Sequence, residues 1–344
     1  MAVIETGVSY YGISHLEHAD KDFDEMVAHN CNAVLLALTE FDLFFWKPNI
    51  PRIVDLAKKK GLAVYLNTWG IGKFFGGEPP SVFLQECDVA DRQHTALTGE
   101  PLPAASPSSP AFREYFWGYI DWLAAYCDAD GFFWDEPHYA MPVQPVSYQS
   151  TADWTCRSPL SQRAFKERYG YELPKSLTYQ VKQWRHQQAN EILIEASRIA
   201  RGRNPALTVT QCSLPAENNF YVGLQRGFDD WESIAGRENV DVFSTSIIVD
   251  YATPLSVHER IARKTAELAH AHGKRAQRWV MSYMESPKDM ETIADIVKLY
   301  KQCGIDSIFS WTYRAGMGTF LSAPDPKAAW DTLGDAYGEV LSES

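Results

Sequence analysis

Two short stretches place acidic residues where an apolar strand runs out. The first is Phe132-Phe133-Trp134-Asp135-Glu136-Pro137-His138. Its adjacent carboxyl groups stand beside aromatic rings, and desolvation there raises a carboxyl pKa toward that of a general acid. Successive strand residues face opposite ways, so only one of the two reaches a shared pocket unless the chain has already turned into a loop. Pro137 biases Glu136 to an extended backbone. The bland alternative is a strand-end carboxylate that caps a helix or pairs with an arginine. The second stretch is Trp279-Val280-Met281-Ser282-Tyr283-Met284-Glu285-Ser286-Pro287. Two carboxyl groups ~5–5.5 Å apart suit displacement at a sugar's anomeric carbon with retention: one attacks, the other acts as acid and then as base. Glu285 and one of the first stretch's carboxylates, Asp135 or Glu136, are the candidates for such a pair. The bland reading of Glu285 is a residue of the next helix's first turn. A third stretch, Phe309-Ser310-Trp311-Thr312-Tyr313-Arg314, offers a ring that could floor a sugar site, or simply pack in the core. The chain has 11 Trp and 17 Tyr. Trp69, Tyr283 and Trp311 are the ones placed to stack on the apolar face of a pyranose.

Such residues need a scaffold, and the chain alternates apolar runs with helical stretches. Strands are predicted at Val8–Ser14, Ala33–Leu38, Ala63–Thr68, Gly131–Asp135, Leu207–Cys212, Val240–Ser246, Arg275–Met281 and Asp306–Trp311. Helices are predicted at Asp20–Asn30, Pro51–Lys60, Ala111–Tyr126, Pro159–Tyr169, Thr178–Arg201, Pro254–His272, Lys288–Gln302 and Pro326–Val340. Eight such units are the signature of a single (β/α)8 TIM barrel over residues 1–344. No GxGxxG or GxxxxGK[ST] phosphate loop follows a strand, which argues against an open doubly wound sheet. A long loop from Trp69 to Pro110 interrupts the third unit; loops of this length are usually functional.

In this fold, function sits at the C-terminal strand ends. In chain order these deliver His15, Glu17 and His18; Glu40 and Asp42; Asn67 and Trp69; Asp135, Glu136 and His138; Gln211, with Glu217 and Asn218 further out; Asp250; Tyr283 and Glu285; Trp311 and Arg314. Strands four and seven are expected on opposite sides of the barrel, with their ends facing across the mouth. The substrate-binding candidates are Asp135, His138, Trp69, Glu40, Gln211, Asp250, Tyr283, Trp311 and Arg314. No cofactor and no metal are expected.

Composition sets outer limits. At 45% apolar and 22% charged residues the chain is neither disordered nor collagen-like. No apolar run reaches ~18 residues, so no membrane helix is expected. Against 44 acidic residues stand 32 basic ones, a net charge of −12 without a basic stripe, which argues against nucleic acid. Met1–Ser14 lacks a basic start followed by an apolar run, so no secretory signal is expected. The six cysteines form no CxxC pair and read as reduced core thiols of a cytoplasmic protein.

The chain resembles the clan A retaining glycoside hydrolases, most closely the family 42 β-galactosidase type. The resemblance rests on four stretches in order: Ser109-Pro110-Ala111-Phe112-Arg113-Glu114-Tyr115; Asp135-Glu136 with Cys156 and Ala164-Phe165-Lys166-Glu167-Arg168-Tyr169-Gly170; Met284-Glu285-Ser286-Pro287; and Phe309-Ser310-Trp311-Thr312-Tyr313-Arg314-Ala315-Gly316. It implies Glu136 as acid/base, Glu285 as nucleophile and Trp311 as the lining of a sugar subsite. The chain departs from the family in four ways. Asp135 stands where the family has Asn. The segment Pro103-Ala104-Ala105-Ser106-Pro107 lacks the usual Arg. A zinc-holding cysteine cluster is reduced to Cys156. The sequence ends after the last helix, without accessory β domains, leaving room for a homodimer through the barrel. The expected partner is a small carbohydrate, a glycoside or oligosaccharide. Rival readings remain. Asp135 could orient an acetamido group in a substrate-assisted hydrolase, or act as nucleophile with Asp250 as acid in an α-retaining one. His15, Glu17, Glu40, Asp135 and His138 could hold the metal of a sugar isomerase or epimerase. A barrel that binds sugar without cleaving it is the non-enzymatic alternative.

Overall fold

The apolar runs form strands β1 (Glu5–Tyr10), β2 (Ala33–Leu38), β3 (Ala63–Thr68), β4 (Arg92–His94), β5 (Pro101–Ala105), β6 (Gly131–Trp134), β7 (Thr208–Ser213), β8 (Val242–Thr245), β9 (Arg275–Met281) and β10 (Ser307–Trp311). Eight of them pair in parallel and close a barrel in the order β1-β10-β9-β8-β7-β6-β3-β2. The structure, a computed structural model, describes residues 4–11, 15–77, 79–140, 153–214, 226–227, 230–246, 253–283 and 289–343, the side chains of 289–291 excepted. The fold is the expected (β/α)8 barrel.

Each barrel strand buries both faces, against different neighbours. Val8, Val34, Leu36, Val64, Leu66, Phe132, Trp134, Val209, Phe243, Val280 and Ile308 point outward and join one apolar layer with the helices. That layer takes Phe23 from α1 (Leu16–Ala28), Ile53 from α3 (Ile50–Lys59) and Phe116 and Ile120 from α5 (Pro110–Tyr126). It also takes Ile192 from α7 (Tyr179–Arg203), Ile261 from α9 (Leu255–Ala271), Val297 from α10 (Asp289–Gln302) and Trp330 from α11 (Pro326–Ser342). The alternate residues Ala33, Leu35, Tyr65, Phe133, Cys212, Trp279 and Phe309 fill the interior. Large rings there meet, Phe133 of β6 and Trp279 of β9 at 5.4 Å between centroids, and Trp279 and Phe309 of the adjacent β10 also at 5.4 Å. Small residues make room for them. A Cβ on Gly7 would lie 2.5 Å from the Phe309 ring, and one on Gly131 would lie 2.3 Å from the Thr208 carbonyl of the neighbouring strand.

The first strand begins three residues earlier than the pattern suggests and ends at Tyr10. Glu5 explains the shift. It faces the barrel's lower end, where it accepts hydrogen bonds from the Tyr65 hydroxyl (2.6 Å), the Arg275 guanidinium (2.8 Å) and the Ser307 hydroxyl (2.8 Å). Those partners come from β3, β9 and β10 and are invisible to a local reading. His15 therefore stands at the N-cap position of α1, without a side-chain capping bond, and Glu17 lies in the first turn, while Tyr11 follows β1 into the mouth. β6 and β9 stand three places apart around the ring, not diametrically opposed as expected.

The long segment after β3 is folded. It contains α4 (Phe83–Glu86) and the antiparallel pair β4–β5. Two backbone hydrogen bonds tie it to the stretch before α6 (Pro159–Tyr169): Ala96 N donates to Trp154 O and Arg157 N to His94 O, both at 2.8 Å. Beneath them Ser106, Ser158, Ser161 and Cys156 form a buried cluster with separations of 3.1–3.4 Å. Further helices missed by the sequence reading are α2 (Glu40–Phe45), closed by a Thr39–Asp42 capping box, and α8 (Trp231–Ala235). All six cysteines are free thiols.

Replacing Gly131 by alanine forces a methyl group onto a backbone carbonyl of the adjacent strand. The expected cost is about 1–3 kcal/mol, read as a lower urea midpoint with unchanged slope.

Candidate active site

Strand alternation decides which residues reach the mouth. On β6 Phe132 and Trp134 face the helices and Phe133 faces inward, so Asp135 is the next inward residue. Its Oδ2 accepts from Asn67 Nδ2 at 3.0 Å, the inward residue at the end of β3. Glu136 is not extended, as the residue before a proline was expected to be. Its φ is +40°, in the left-handed region. Two backbone hydrogen bonds from the excursion hold this turn: Gly76 N donates to Asp135 O and His138 N donates to Phe74 O, each at 2.8 Å. The turn gives both carboxyl groups to one pocket. A Cβ on Gly76 would lie 3.3 Å from Glu136 Cβ and 3.4 Å from Asp135 Cγ, so the excursion packs directly over the pair.

The pocket is polar in a lopsided way. Glu136 keeps 19% side-chain exposure and faces the Arg226 guanidinium at 3.9 Å. Burial raises its pKa, while Arg226 and a hydrogen bond with Ser246 pull the other way. Asp135 is pushed up to about 7, by burial first and then by the neighbouring Glu136 charge, with Asn67 only partly offsetting them. His138 is pushed down to about 3 by burial and by Arg226, and is neutral. Its Nδ1 donates to Glu136 O at 2.7 Å, since a carbonyl can only accept, so Nε2 is left as an acceptor.

Aromatic rings wall the pair. Tyr11 meets Trp69 edge-on at 4.5 Å and hydrogen-bonds with Ser9 and Trp311; burial and the Asp135 charge raise its phenol pKa. Trp311 meets Tyr283 edge-on at 5.3 Å. Gly77 lets the Trp69 indole lie against the backbone, for a Cβ there would fall 1.8 Å from its Nε1. Below, the Trp279 indole donates to Ser244 Oγ at 3.2 Å, and the buried Cys212 thiol sits near both carboxyl groups.

Of the expected residues, the structure thus gathers Asp135, Glu136, His138, Trp69, Tyr283 and Trp311. Three others are placed elsewhere. Glu40 is buried at 1% exposure and accepts from Gly72 N (2.7 Å), Phe83 N (2.7 Å) and the Tyr115 hydroxyl (2.9 Å). It anchors the excursion, and both of its oxygens already accept hydrogen bonds from the protein. Gln211 falls on the outward face of β7, one residue out of phase with Cys212, and accepts from Arg237 at 3.2 Å. Arg314 turns away to α1, where Glu25 accepts from its Nε at 2.9 Å. Glu285, Asp250, Glu217 and Asn218 lie outside the described residues. Sequence reasoning missed Tyr11, Ser246 and Arg226. Strand phase could have found the first two; no local signal marks Arg226. Among the described residues no group of three His, Cys, Asp or Glu side chains could hold a metal ion.

Neither protein-family models nor curated proteins match the sequence. Solved structures do. The β-galactosidase from Bacillus circulans sp. alkalophilus is similar with a TM-score of 0.71 at 13% identity, over 97% of this chain and 56% of that one. The cold-adapted β-galactosidase from Rahnella sp. R3 gives 0.70 at 14% identity, over 99% and 57%. The PgaB (BpsB) glycoside hydrolase domain from Bordetella bronchiseptica gives 0.65 at 12% identity, over 96% and 99%. The chain spans little more than half the length of the two β-galactosidases and nearly all of the Bordetella domain. At these identities the likeness establishes the barrel fold.

Two outcomes follow from the site. Glu40→Ala strands two buried N–H groups, at about 1–3 kcal/mol each, and should expose residues 71–105 to limited proteolysis. Asp135 binds its proton more tightly folded than unfolded. From its ordinary value of 3.8 up to about 7, the native chain keeps a proton that the unfolded chain has released. Its contribution to stability is therefore largest at low pH and is lost as pH rises through that window. Asp135→Asn should flatten this decline, so that the melting temperature of the variant exceeds wild type at pH 8 and approaches it near pH 4.

Proposed function

We propose that the chain is a retaining glycoside hydrolase acting on a small glycoside or oligosaccharide. The observation that carries this reading is the Asp135–Glu136 pair. Both carboxyl groups are desolvated at the C-terminal mouth of a barrel and walled by Tyr11, Trp69, Tyr283 and Trp311. A raised carboxyl pKa suits proton delivery to a leaving oxygen, and flat rings suit the apolar face of a pyranose. In this reading Glu136 protonates the glycosidic oxygen and Glu285 attacks the anomeric carbon. Glu136 then takes a proton from the water that releases the sugar. Neutral His138 offers Nε2 to a sugar hydroxyl. The excursion that packs over the pair narrows the mouth, which favours a short substrate. The similarity to solved β-galactosidases makes β-galactosides the first compounds to try.

A second reading has one observation in its favour, namely that Asp135 faces the same pocket as Glu136. There Asp135 would orient a substrate acetamido group that attacks in place of Glu285, with Glu136 still the acid.

A panel of aryl β-glycosides, N-acetylated sugars included, tests both. Glu136→Gln should lower kcat by about 10²–10⁴ with the fold intact. In the first reading Glu285→Gln abolishes turnover. In the second it leaves turnover largely in place, while Asp135→Asn abolishes it on N-acetylated substrates. A panel with no turnover in the wild-type chain overturns the enzymatic proposal.

A further inference from the structure

The environments of the two neighbouring carboxyl groups differ in a way that assigns them different protonation. Glu136 has a cation 3.9 Å from Oε2, and the nearby Ser246 hydroxyl also favours its anion. Among the described residues Asp135 has one neutral donor, Asn67 Nδ2, and the like charge of Glu136 beside it. The other described groups around the pair do not redress this. Tyr11, reaching in from β1, and Cys212, from β7, are held neutral by burial. His138 is neutral as well, and the Arg226 and Lys73 charges both disfavour its protonation. Arg226 thus serves Glu136, and Asp135 has no cation of its own among the described residues.

We propose that Asp135 and Glu136 hold a single proton between them at neutral pH and that Asp135, not Glu136, is its resting carrier. Two carboxyl groups in one desolvated pocket do not both ionise freely, and the proton stays where the anion is least supported. Burial and the Glu136 charge raise the Asp135 pKa to about 7, in agreement. Asp135 then presents a neutral carboxyl that donates through O–H as a side-chain amide donates through N–H. A carboxylate at this position would repel Glu136.

The consequence for catalysis rests on the glycosidase reading. Before Glu136 can protonate a leaving oxygen, the proton must pass from the Asp135 carboxyl to the Glu136 carboxylate, leaving Asp135 as the anion. After Glu136 takes a proton from the attacking water, that proton returns to Asp135 and the resting state is restored. Asp135 is thus a positioning and proton-storing residue that acts through Glu136.

The test is a pH titration of carboxyl carbons by 13C NMR, with aspartate and glutamate side chains labelled. Asp135→Asn and Glu136→Gln assign the two signals. Either variant alone suffices, because the missing signal identifies one carboxyl and the signal that shifts identifies its neighbour. The expected result is an Asp135 midpoint near 7, with Glu136 ionising at lower pH. In Glu136→Gln the Asp135 midpoint should fall by about one unit or more as the like charge disappears. In Arg226→Gln the Glu136 midpoint should rise. An Asp135 midpoint in the ordinary range near 4, one that Glu136→Gln leaves unmoved, or a Glu136 midpoint above that of Asp135 overturns the proposal. No substrate enters the titration, so its outcome is separate from the glycoside panel, on which the glycosidase reading stands or falls.

Discussion

Two consecutive residues can share a pocket only if the backbone between them leaves the strand, and the mouth of this barrel is built around that turn. At Glu136 the chain takes φ = +40°, a conformation that costs a non-glycine residue about 1–2 kcal/mol. It persists because neighbouring structure holds it. Gly76 N and Phe74 O, both from the excursion after β3, bond the backbone on either side of the turn. The excursion is itself pinned by Glu40, whose oxygens hold Gly72 N and Phe83 N. The hairpin β4–β5 and the Ser106–Cys156–Ser158–Ser161 cluster fix its far end. Strain at the carboxyl pair is thus supported by a folded loop of about forty residues, which accounts for the loop's length better than a role as a spacer.

The barrel's carboxyl groups divide by how fully they are partnered. Glu5 at the lower end is matched by a guanidinium, a phenol and a hydroxyl. Glu40 is matched by two amides and a phenol. Each of these is a structural tie with both oxygens already hydrogen-bonded to protein. Among the described residues Asp135 and Glu136 have one guanidinium at 3.9 Å, one amide donor and the Ser246 hydroxyl between them. Under-partnered, desolvated charge at the open end of a rigid scaffold is the usual physical mark of a chemical site. The interior rings Tyr65, Phe133, Trp279 and Phe309 fill the barrel beneath the pair.

The misplaced residues were displaced for different reasons. Gln211 lies at the end of a strand, where function is expected, yet it faces the helices and Arg237 because β7 places Cys212 on the inward side. Arg314 leaves the mouth because Tyr313 and Arg314 together bind the acidic face of α1. A strand-end position does not by itself make a site residue, since the phase of the alternation decides whether it faces the mouth. For β7 that phase is hidden in the sequence, since Val209 and Cys212 are both apolar.

The sequence by itself determined the architecture. Eight apolar runs of strand length, spaced by amphipathic helices, admit few packings other than the closed barrel, and the carboxyl pair after Trp134 and the rings Trp69, Tyr283 and Trp311 follow from where those runs stop. Burial is local in origin there, so pattern suffices. The tertiary structure alone decided which side chains meet. Glu5 became a strand residue because β3, β9 and β10 supply its partners. Glu40 became a loop anchor because amides 32 and 43 residues further along the chain converge on it. Glu136 turned left-handed because the excursion bonds the backbone on both sides. Each outcome depends on hydrogen-bond partners distant in the chain, and the energy of a buried polar group is set by those partners rather than by its neighbours in sequence.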